Sequence, residues 1–334
     1  MIPAAPRLLA GAPAPAGAYD VDIIILALGR PAETEAAIRS ALAQTGASRH
    51  VIVLDQGSDA PTLARLTALM AGRTDAALFA AGANLGVAGG RNVATALGRG
   101  RIIVGLDNDA EFTDPATLSR AIAVLNADTA LGAIGFRILA DTSGTDDLSA
   151  WGYPEALRAR SAARFDAATF VGAGHAIRRA AWEDAGGYDP ALFFTWEEFD
   201  FCLRAIDRGW AVRYCGDIAV RHKAAPAQRV GWAGRRWFHF VRNRLYIARK
   251  WGASWPGLAP RCTGYLVKGA RHGLLRQTLA ALLAAIRMPA GAPRPLSPAA
   301  RAWLARTDAA PRGGPLRRLR QEVFAPLPPD QPRR

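Results

Sequence analysis

Two acidic residues, Asp107 and Asp109, directly follow the apolar, partly β-branched run Ile102–Leu106, which predicts a buried strand. Residues two apart on an extended chain point to the same side, so both carboxylates can be presented where the strand leaves the sheet. Open α/β sheets bind ligands at the carboxyl ends of their strands, and paired hard oxygen ligands suit Mg²⁺ or Mn²⁺ carrying a diphosphate. The alternative is a solvated turn, because turns favour Asp.

Three more carboxylates, Glu197, Glu198 and Asp200, lie together at the start of a predicted helix. Part of this cluster is ordinary electrostatics at a helix N-terminus. The cluster is denser than that requires, and like charges held together raise at least one pKa, which suits a general base. His222, which follows the apolar Ile218–Val220, is either a structural or solvated histidine or a third metal ligand at a strand end.

A glycine-rich segment from Asn84 to Asn92 precedes a predicted helix and contains Gly86, Gly90 and Arg91. Glycines let a backbone approach a phosphate or sugar, the helix start offers free N–H groups, and the arginine adds positive charge. A plain turn explains the same segment equally well. Asp55 ends another predicted strand, where it would either receive a base or ribose or cap a turn.

The elements that must position these residues alternate between strand and helix. Apolar runs predict strands over 22–27, 51–54, 76–79 and 133–139, and helical spacing lies between them over 31–44, 61–70, 93–98 and 115–125. Short loops and this alternation predict an α/β fold with a mostly parallel central sheet and helices on both faces. Further on, a helix is expected over 177–185, a second from about 195 that Gly209 stops, and closing strands over 210–214 and 218–220. Residues 141–165 are expected to be irregular.

Composition limits the class of protein. Of the 334 residues, 50% are hydrophobic and 21% charged, which excludes a disordered chain. Cys202, Cys215 and Cys262 are odd in number and widely spaced, so they fit a reducing compartment such as the cytoplasm. No run of about 18 apolar residues predicts a transmembrane helix, and the N-terminus lacks the apolar core of a signal peptide.

Charge is divided unevenly along the chain. Residues 1–220 hold 19 Lys and Arg against 25 Asp and Glu, whereas residues 221–334 hold 23 against 3. We expect a flexible leader over 1–19, a catalytic domain over 20–225, a basic aromatic helical extension over 226–290, and a loosely ordered Pro/Arg-rich tail over 291–334. Such a basic extension suits a polyanionic partner, either nucleic acid or an anionic membrane surface.

Within this extension, basic and aromatic side chains alternate over 230–251. The basic members are Arg235, Arg236, Arg242, Arg244, Arg249 and Lys250, and the aromatic members are Trp232, Trp237, Phe238, Phe240, Tyr246 and Trp251. Basic residues attract anionic lipid and aromatic residues settle at the interface, so this segment is a candidate for peripheral membrane binding. A solvated, partly packed pair of helices explains it equally well.

The motifs occur in one order: Asp55-Gln-Gly-Ser-x-Asp, the Asn84 to Asn92 segment, Asp107-Asn-Asp109, Gly172-Ala-Gly-His, Gly186-Gly-Tyr-Asp, and Glu197-Glu-x-Asp-x-Cys-x-Arg. Over about residues 20–250 this order and spacing resemble the inverting glycosyltransferases of family 2, especially the bacterial rhamnosyl- and galactofuranosyltransferase-like branch. The resemblance implies a GT-A fold, a nucleotide-sugar donor and a divalent metal, Mn²⁺ or Mg²⁺.

The resemblance also implies roles for individual residues. Asp109 and His222 would ligate the metal, and Asp107 would face the metal or the ribose. Glu198 sits where the family places its catalytic base, which Glu197 and Asp200 would support. The donor site would include Asp55, Asn84, Gly86, Gly90, Arg91 near the phosphates, Asn92, Asp107 and Trp196, the last at the border of the sugar pocket.

Three departures accompany the resemblance. The first strand runs into Ala27–Arg30, where the family often shows Thr-Tyr-Asn; Gln56 replaces a common Asn; and Glu198 replaces the usual Asp. The function expected is transfer of a sugar from a UDP- or dTDP-sugar to a glycan or lipid-linked acceptor in envelope polysaccharide synthesis. The alternatives are a sugar-nucleotide pyrophosphorylase, a catalytically inactive nucleotide-sugar-binding module and a basic nucleic-acid-binding protein. A pyrophosphorylase would require a richer basic glycine loop than Gly29-Arg30, and the basic region carries no known nucleic-acid-binding motif.

Overall fold

The structure is a computed structural model that describes residues 5–141, 143–223, 232–292, 294–314, 323–324 and 327. Its described strands form one sheet in the order β1-β4-β3-β2-β5-β9-β7-β10-β6, with β8 paired to β10. The strands are Arg7–Gly11 (β1), Val21–Ala27 (β2), Arg49–Asp55 (β3), Ala76–Ala80 (β4), Ile102–Leu106 (β5), Ala110–Phe112 (β6), Leu131–Ala140 (β7), Arg164–Asp166 (β8), Gly174–Arg178 (β9) and Ala211–His222 (β10).

The helices of the catalytic part are Pro31–Leu42 (α1), Ala60–Met70 (α2), Gly86–Ala96 (α3), Thr117–Ala127 (α4), Arg179–Ala185 (α5) and Glu197–Asp207 (α6). They cover both faces of the sheet. The core on one face includes residues of α1, α2 and α4, and the core on the other includes residues of α3, α5 and α6. The three-layer α/β architecture predicted from the alternating pattern is therefore confirmed.

The half of the sheet formed by β4, β3, β2 and β5 is parallel, as expected from strands joined by helices. The other half is mixed, which corrects the expectation of a mostly parallel sheet: β9 runs antiparallel to both β5 and β7. The residues described between β7 and β9 include no α-helix that could serve as the crossover of a parallel pair, and the two strands pair antiparallel. Strand β10 then pairs parallel to β7 and antiparallel to β6 and β8.

Two boundaries differ from the sequence prediction. Ile177 belongs to β9, where it pairs with Ile103 and Ala133, so α5 starts at Arg179. The two closing strands are one strand, β10, whose register shifts between Cys215 and Ala219. In both cases pairing within the sheet overrides the local pattern.

The described part of the leader is not all flexible. Strand β1 pairs antiparallel with β4 at the edge of the sheet, and Leu9 and Ala10 pack against the core. A Cβ at Gly11, which has φ 77°, would overlap the carbonyl of Ala76, so this close approach requires glycine. The Pro/Ala/Gly-rich composition suggested a flexible segment, but it contains a short strand that hydrogen-bonds to the backbone of β4. Residues 1–4 lie outside the described residues.

The basic extension contains Trp237–Lys250 (α7), Trp255–Arg271 (α8) and Leu275–Arg287 (α9), which share a third apolar core. Trp237 is fully buried, and its Nε1 donates to Thr278 Oγ1 on α9 at 2.8 Å. Tyr246 and Ile247, on α7, belong to a cluster formed with the catalytic domain. Most aromatic residues of the segment expected to face a membrane therefore pack inward. Residues 224–231, and the side chain of Trp232, lie outside what the structure describes.

The tail is ordered where it is described. Pro298–Leu304 (α10) and the short Ala310–Arg312 (α11) are helical, and Ser297 caps α10. Trp303 Nε1 donates to the carbonyl of Ala167 at 2.9 Å, which anchors α10 on the catalytic domain. The expectation of a loose tail is thus wrong for residues 298–312, because Ser297 and Pro298 start a helix in which Ala300 is buried and Trp303 and Leu304 pack against the core. Residues 315–322, 325–326 and 328–334 lie outside the described part.

Candidate active site

Asp107 and Asp109 lie where β5 leaves the sheet, as the sequence predicts. Every residue of β5 is buried, and a turn closed by the Ala110 N–H on the Asp107 carbonyl leads into β6. Asp109 is 8% exposed, and Asp107 is half-buried. Burial of a strand that ends in a tight turn fixes both carboxylates at the sheet edge.

His222, the last residue of β10, pairs with Ala110 of β6, and this pairing brings the imidazole to the two acids. Its Nε2 lies 3.4 Å from Asp109 Oδ1. Its Nδ1 lies 2.9 Å from Asp147 Oδ2. Sequence reasoning missed Asp147, which lies within the segment expected to be irregular. Burial lowers the pKa of His222, but the hydrogen bonds to Asp109 and Asp147 outweigh it and raise the pKa to about 9.

The three side chains fit a divalent cation. One ligand atom each from Asp107, Asp109 and His222 lies within 4.8 Å of the others. Two carboxylates and one imidazole suit Mn²⁺ or Mg²⁺, and a carboxylate behind the imidazole is the usual partner of a metal-binding histidine. Among the described residues, this is the group of acids and histidines that could hold a metal ion.

Arg30 also reaches this site, although the sequence analysis had noted it only as a departure from the family pattern. It precedes α1 with a left-handed backbone (φ 52°), and its guanidinium forms an ion pair with Asp109. Burial raises the pKa of Asp109, but the hydrogen bond from His222 and the charges of His222 and Arg30 outweigh it and lower that pKa. Asp109 is therefore kept ionised.

Arg91 lies behind Asp107 rather than in the open part of the site. Its guanidinium is buried, and it donates to the Ile24 carbonyl and, at 2.9 Å, to Asp107 Oδ1. A Cβ at Gly105 would overlap His175 and approach Arg91, so glycine in β5 leaves room for both side chains. In this arrangement Arg91 positions Asp107, whereas the resemblance had placed it near the donor phosphates.

Glu198 and Glu197 start α6 and differ in environment. Glu198 is half-buried, and burial together with the charge of Asp107 raises its pKa to about 7. Glu197 is 2% exposed, its Oε2 has no hydrogen-bond partner in the described structure, and burial and the charge of Glu198 raise its pKa well above the usual range. A Cβ at Gly172 would overlap Glu198 Oε1, so this glycine allows the carboxylate its position. Glu198 is thus the less buried of the two acids, and its pKa is near neutrality.

The loop before α6 has an unusual backbone. Phe193, Thr195 and Trp196 all have positive φ, a conformation that costs free energy in residues other than glycine. Asn243 of α7 is fully buried, and its Nδ2 lies 2.9 Å from the carbonyls of Leu192, Phe194 and Thr195. Helix α7 therefore holds the loop that delivers Glu197 and Glu198, a role that the sequence analysis did not foresee.

Asp200 and Trp196 connect α6 to α7. Asp200 is fully buried, and it accepts from Arg204 Nε and Lys250 Nζ, both at 3.0 Å. Trp196 Nε1 donates to the Phe240 carbonyl at 3.1 Å, and its ring lies under the Arg244 guanidinium. The structure places both residues in the interface between the catalytic domain and the extension.

The remaining candidates for the donor site are used mainly in local structure. Asp55 accepts from the N–H groups of Gly57 and Ser58, so the structure has the turn cap that the sequence left as an alternative. Asn84 Oδ1 accepts from the Gly86 N–H at 2.9 Å, and the amide of Asn92 bonds the backbone of Tyr188 in both directions.

The start of α3 is also already occupied. The Val87 N–H donates to the Phe193 carbonyl at 2.7 Å, and a Cβ at Gly86 would overlap Phe193. Gly90 similarly makes room for Gln56, whose Oε1 accepts from the Leu85 N–H. In this structure the glycines allow close packing of the 192–196 loop. The Val87 N–H at the start of α3 is already bonded to this loop and is not free to bind a phosphate.

Two family models match the chain: glycosyl transferase family 2 over residues 22–186 and glycosyl transferase family group 2 over residues 150–304. The chain belongs to glycosyltransferase family 2. It is a glycosyltransferase that uses a nucleotide-sugar donor, and these family matches set aside the alternatives of a pyrophosphorylase and of a nucleic-acid-binding protein. No curated protein matches it significantly in sequence.

Solved structures share the fold of this glycosyltransferase. The mannosyltransferase PcManGT from Pyrobaculum calidifontis, in complex with GDP-Man and Mn²⁺, matches with a TM-score of 0.54 and 19% identity over 94% of this chain and 88% of its own. GalNAc-T7 with UDP, GalNAc and Mn²⁺ matches with a TM-score of 0.58 and 15% identity over 87% of this chain and 57% of its own. Residues 1–349 of S. aureus TarS match with a TM-score of 0.51 and 14% identity over 80% and 89% of the two chains. These likenesses support the GT-A fold.

Proposed function

We propose that this glycosyltransferase is inverting and metal-dependent, and that it moves a sugar from a UDP- or dTDP-sugar to a hydroxyl of its acceptor. The observation that carries the proposal is the meeting of two groups of side chains. One group, formed by Asp107, Asp109 and His222, could hold a divalent cation. The other is Glu198, whose pKa is raised to about 7 by burial and by the charge of Asp107. A direct displacement needs a cation to stabilise the leaving diphosphate and a base to accept the proton of the acceptor hydroxyl, and these two groups can supply them.

Glu198 would take the proton of the acceptor hydroxyl as that oxygen attacks C1 of the sugar. The bond from C1 to the donor phosphate breaks on the opposite face, so the electron pair leaves with the nucleoside diphosphate and the anomeric centre inverts. Asp107, Asp109 and His222 would hold the cation, which supplies positive charge for the leaving diphosphate when bound. Burial and the charge of Glu198 raise the pKa of Glu197 well above its usual range, which favours the neutral form of Glu197 next to an ionised Glu198.

Several residues act by positioning the reacting groups. Asp147 fixes the imidazole of His222, Arg91 fixes Asp107, and Arg30 keeps positive charge next to Asp109. The Asn243 contacts hold the loop in front of Glu198. Asp200 supports the same region through its ion pairs with Arg204 and Lys250.

For the acceptor, we propose a glycan or lipid-linked sugar used in envelope polysaccharide synthesis, with the reaction at the inner face of the cell membrane. The motif order supports the rhamnosyl- and galactofuranosyltransferase-like branch. The named complexes contain GDP-Man or UDP, and we favour UDP or dTDP here. Among the described residues, the helices are too short or too polar to span a bilayer.

The test is a thermal-shift panel of UDP, dTDP, GDP and ADP, each with and without Mn²⁺, followed by detection of released nucleotide. A ligand that binds only the folded state raises the melting temperature. We expect stabilisation by one pyrimidine diphosphate only with Mn²⁺, and its loss in Asp109→Ala.

The Glu198→Gln variant separates binding from chemistry. It should keep the nucleotide-dependent shift and lose about 100-fold or more of the transfer rate, because the general base is gone. A wild-type protein that binds the nucleotide but never releases it from any sugar donor would instead support the inactive binding module.

A further inference from the structure

Helix α9 carries a stripe of large apolar side chains on its outer side. Leu275, Leu279, Leu283 and Ile286 are 43%, 53%, 47% and 55% exposed. At 100° per residue, these four positions fall within one narrow arc of the helix surface. We call them the α9 stripe.

The α9 stripe is separate from the packed face of the same helix. Thr278, Ala281 and Ala285 are buried, and Thr278 accepts the hydrogen bond from Trp237 of α7. A helix that only completed a soluble bundle would be polar on its outer side. Here the outer side carries leucine and isoleucine, and no residue that the structure describes covers it.

Positive charge borders the stripe. Arg276 and Arg287 are exposed and lie next to it on the helix, and exposed Arg271 ends the preceding helix α8. The chain contains no Asp or Glu between Asp217 and Asp308, so no carboxylate of α7, α8 or α9 offsets these cations. The surface therefore combines an aliphatic ridge with a positive rim.

We propose that the α9 stripe docks on an anionic lipid bilayer, with its leucine and isoleucine side chains inserted at the boundary of headgroups and acyl chains. A helix that lies in the interface plane needs an apolar face and flanking basic residues, and α9 has both. The proposal goes beyond sugar transfer and does not depend on it, and it moves the membrane-binding surface from α7 to α9.

Charge complementarity favours lipid over the other occupants. A second copy of this chain would bring two acid-free, positively charged surfaces together, because a two-fold interface uses the same patch twice. Nucleic acid could pair its phosphates with the arginines, but it would leave four aliphatic side chains without an apolar partner. Proteins bind nucleic acid mainly through basic residues and through aromatic rings that stack on the bases.

The position of α9 suits such docking. Helix α7 packs against α8 and α9 on one side and against the catalytic domain on the other, where Asn243 and Lys250 contact the 192–196 loop and Asp200. A bilayer bound to α9 would thus lie one helix away from the loop that precedes Glu198.

The test is flotation of the full chain with phosphatidylglycerol-containing vesicles and with pure phosphatidylcholine vesicles, at low and high salt. The wild type should float with the anionic vesicles and lose most binding with phosphatidylcholine or high salt. The variant Leu279→Gln with Leu283→Gln should lose about tenfold or more in partitioning, because two aliphatic side chains no longer insert. Ala280→Gln, an exposed position between them, is the matched control and should bind like the wild type.

The outcomes are distinguishable. Absence of flotation by a wild type that still shows the nucleotide-dependent thermal shift overturns the docking proposal and leaves the catalytic one intact. Equal flotation of the double-leucine variant, concentration-dependent dimerisation through the stripe, or tight binding of an oligonucleotide that the leucine changes do not affect would each overturn it. If the double-leucine variant does not fold, Arg276→Gln with Arg287→Gln decides, since both side chains are exposed; unchanged binding to anionic vesicles then refutes the proposal.

Discussion

Asp147 Oδ2 lies 2.9 Å from His222 Nδ1, and the other ring nitrogen of His222 faces Asp109. The two residues come from different segments: His222 ends β10, and Asp147 follows the end of β7, the strand that pairs with β10. A carboxylate on Nδ1 fixes the ring orientation and leaves Nε2 as the ligand atom. Asp147 is thus part of the candidate metal centre without being one of its ligands.

The first prediction concerns Asp147→Asn. The change should weaken Mn²⁺ binding about 10- to 100-fold, as is typical when the partner of a metal-binding histidine is removed. Isothermal titration with Mn²⁺ in the presence of UDP measures it. Asp146→Asn is the matched control, because Asp146 pairs with Arg137 on the same segment and should leave Mn²⁺ affinity unchanged. Equal affinity in Asp147→Asn and wild type would exclude the positioning role.

The second prediction concerns pH. Burial and the charge of Asp107 raise the pKa of Glu198 to about 7, and a general base has to be ionised. We expect kcat/KM for nucleotide release to rise about tenfold per pH unit on the acid side and to level off above about pH 7. Glu198→Asp should shift or lower the profile but retain activity. A profile that is flat from about pH 5 to 8 would contradict Glu198 as the base.

The same group has the opposite effect on stability. Because folding raises the pKa of Glu198 above its ordinary value of 4.5, its contribution to the free energy of unfolding is fully present below about pH 4.5 and is lost as the pH rises through about 7. Activity and this contribution to stability therefore change in opposite directions over one pH range. Glu198→Gln should make the melting temperature depend less on pH across that range.

The sequence predicts those parts of the site that local patterns determine. Asp107 and Asp109 end an apolar strand, Glu197 and Glu198 start an amphipathic helix, and both features are readable over about ten residues. The structure also brings His222 to the two acids, as expected from its place at a strand end. Strand ends meet at a sheet edge, so such residues can be placed without knowing the full topology.

What the sequence does not predict depends on pairings between distant segments. Asp147 contacts His222 across 75 residues, and Asn243 contacts the carbonyl of Leu192 across 51. The antiparallel direction of β9 depends on how the chain connects it to β7, and amino-acid composition does not predict that connection. The glycines of the Asn84 to Asn92 segment correctly predict that another group lies close to this backbone. Sequence alone does not tell whether that group is a phosphate or, as here, the side chains of Phe193 and Gln56.

The third prediction concerns Asn243. Its buried amide faces three carbonyls of the 192–196 loop, so Asn243→Ala should cost about 1–3 kcal/mol of unfolding free energy and lower kcat. Urea denaturation and nucleotide release measure the two effects. Asn243→Asp keeps the volume but replaces the donor with a carboxylate oxygen, so it should be at least as damaging. Asn126→Ala, at an exposed position on α4, is the control and should change neither quantity.

The fourth prediction separates the position of the base from the stability of the fold. A Cβ at Gly172 would overlap Glu198 Oε1, and this atom is the far end of a side chain that can rotate away. Gly172→Ala should therefore lower kcat about tenfold or more, since a small displacement of a catalytic group is costly, while the melting temperature changes little. Gly17→Ala, where a Cβ meets no atom within 4 Å, should leave both unchanged. A stable Gly172→Ala variant with wild-type kcat would show that the carboxylate does not need this position, and the assignment of Glu198 as the base would then have to be abandoned.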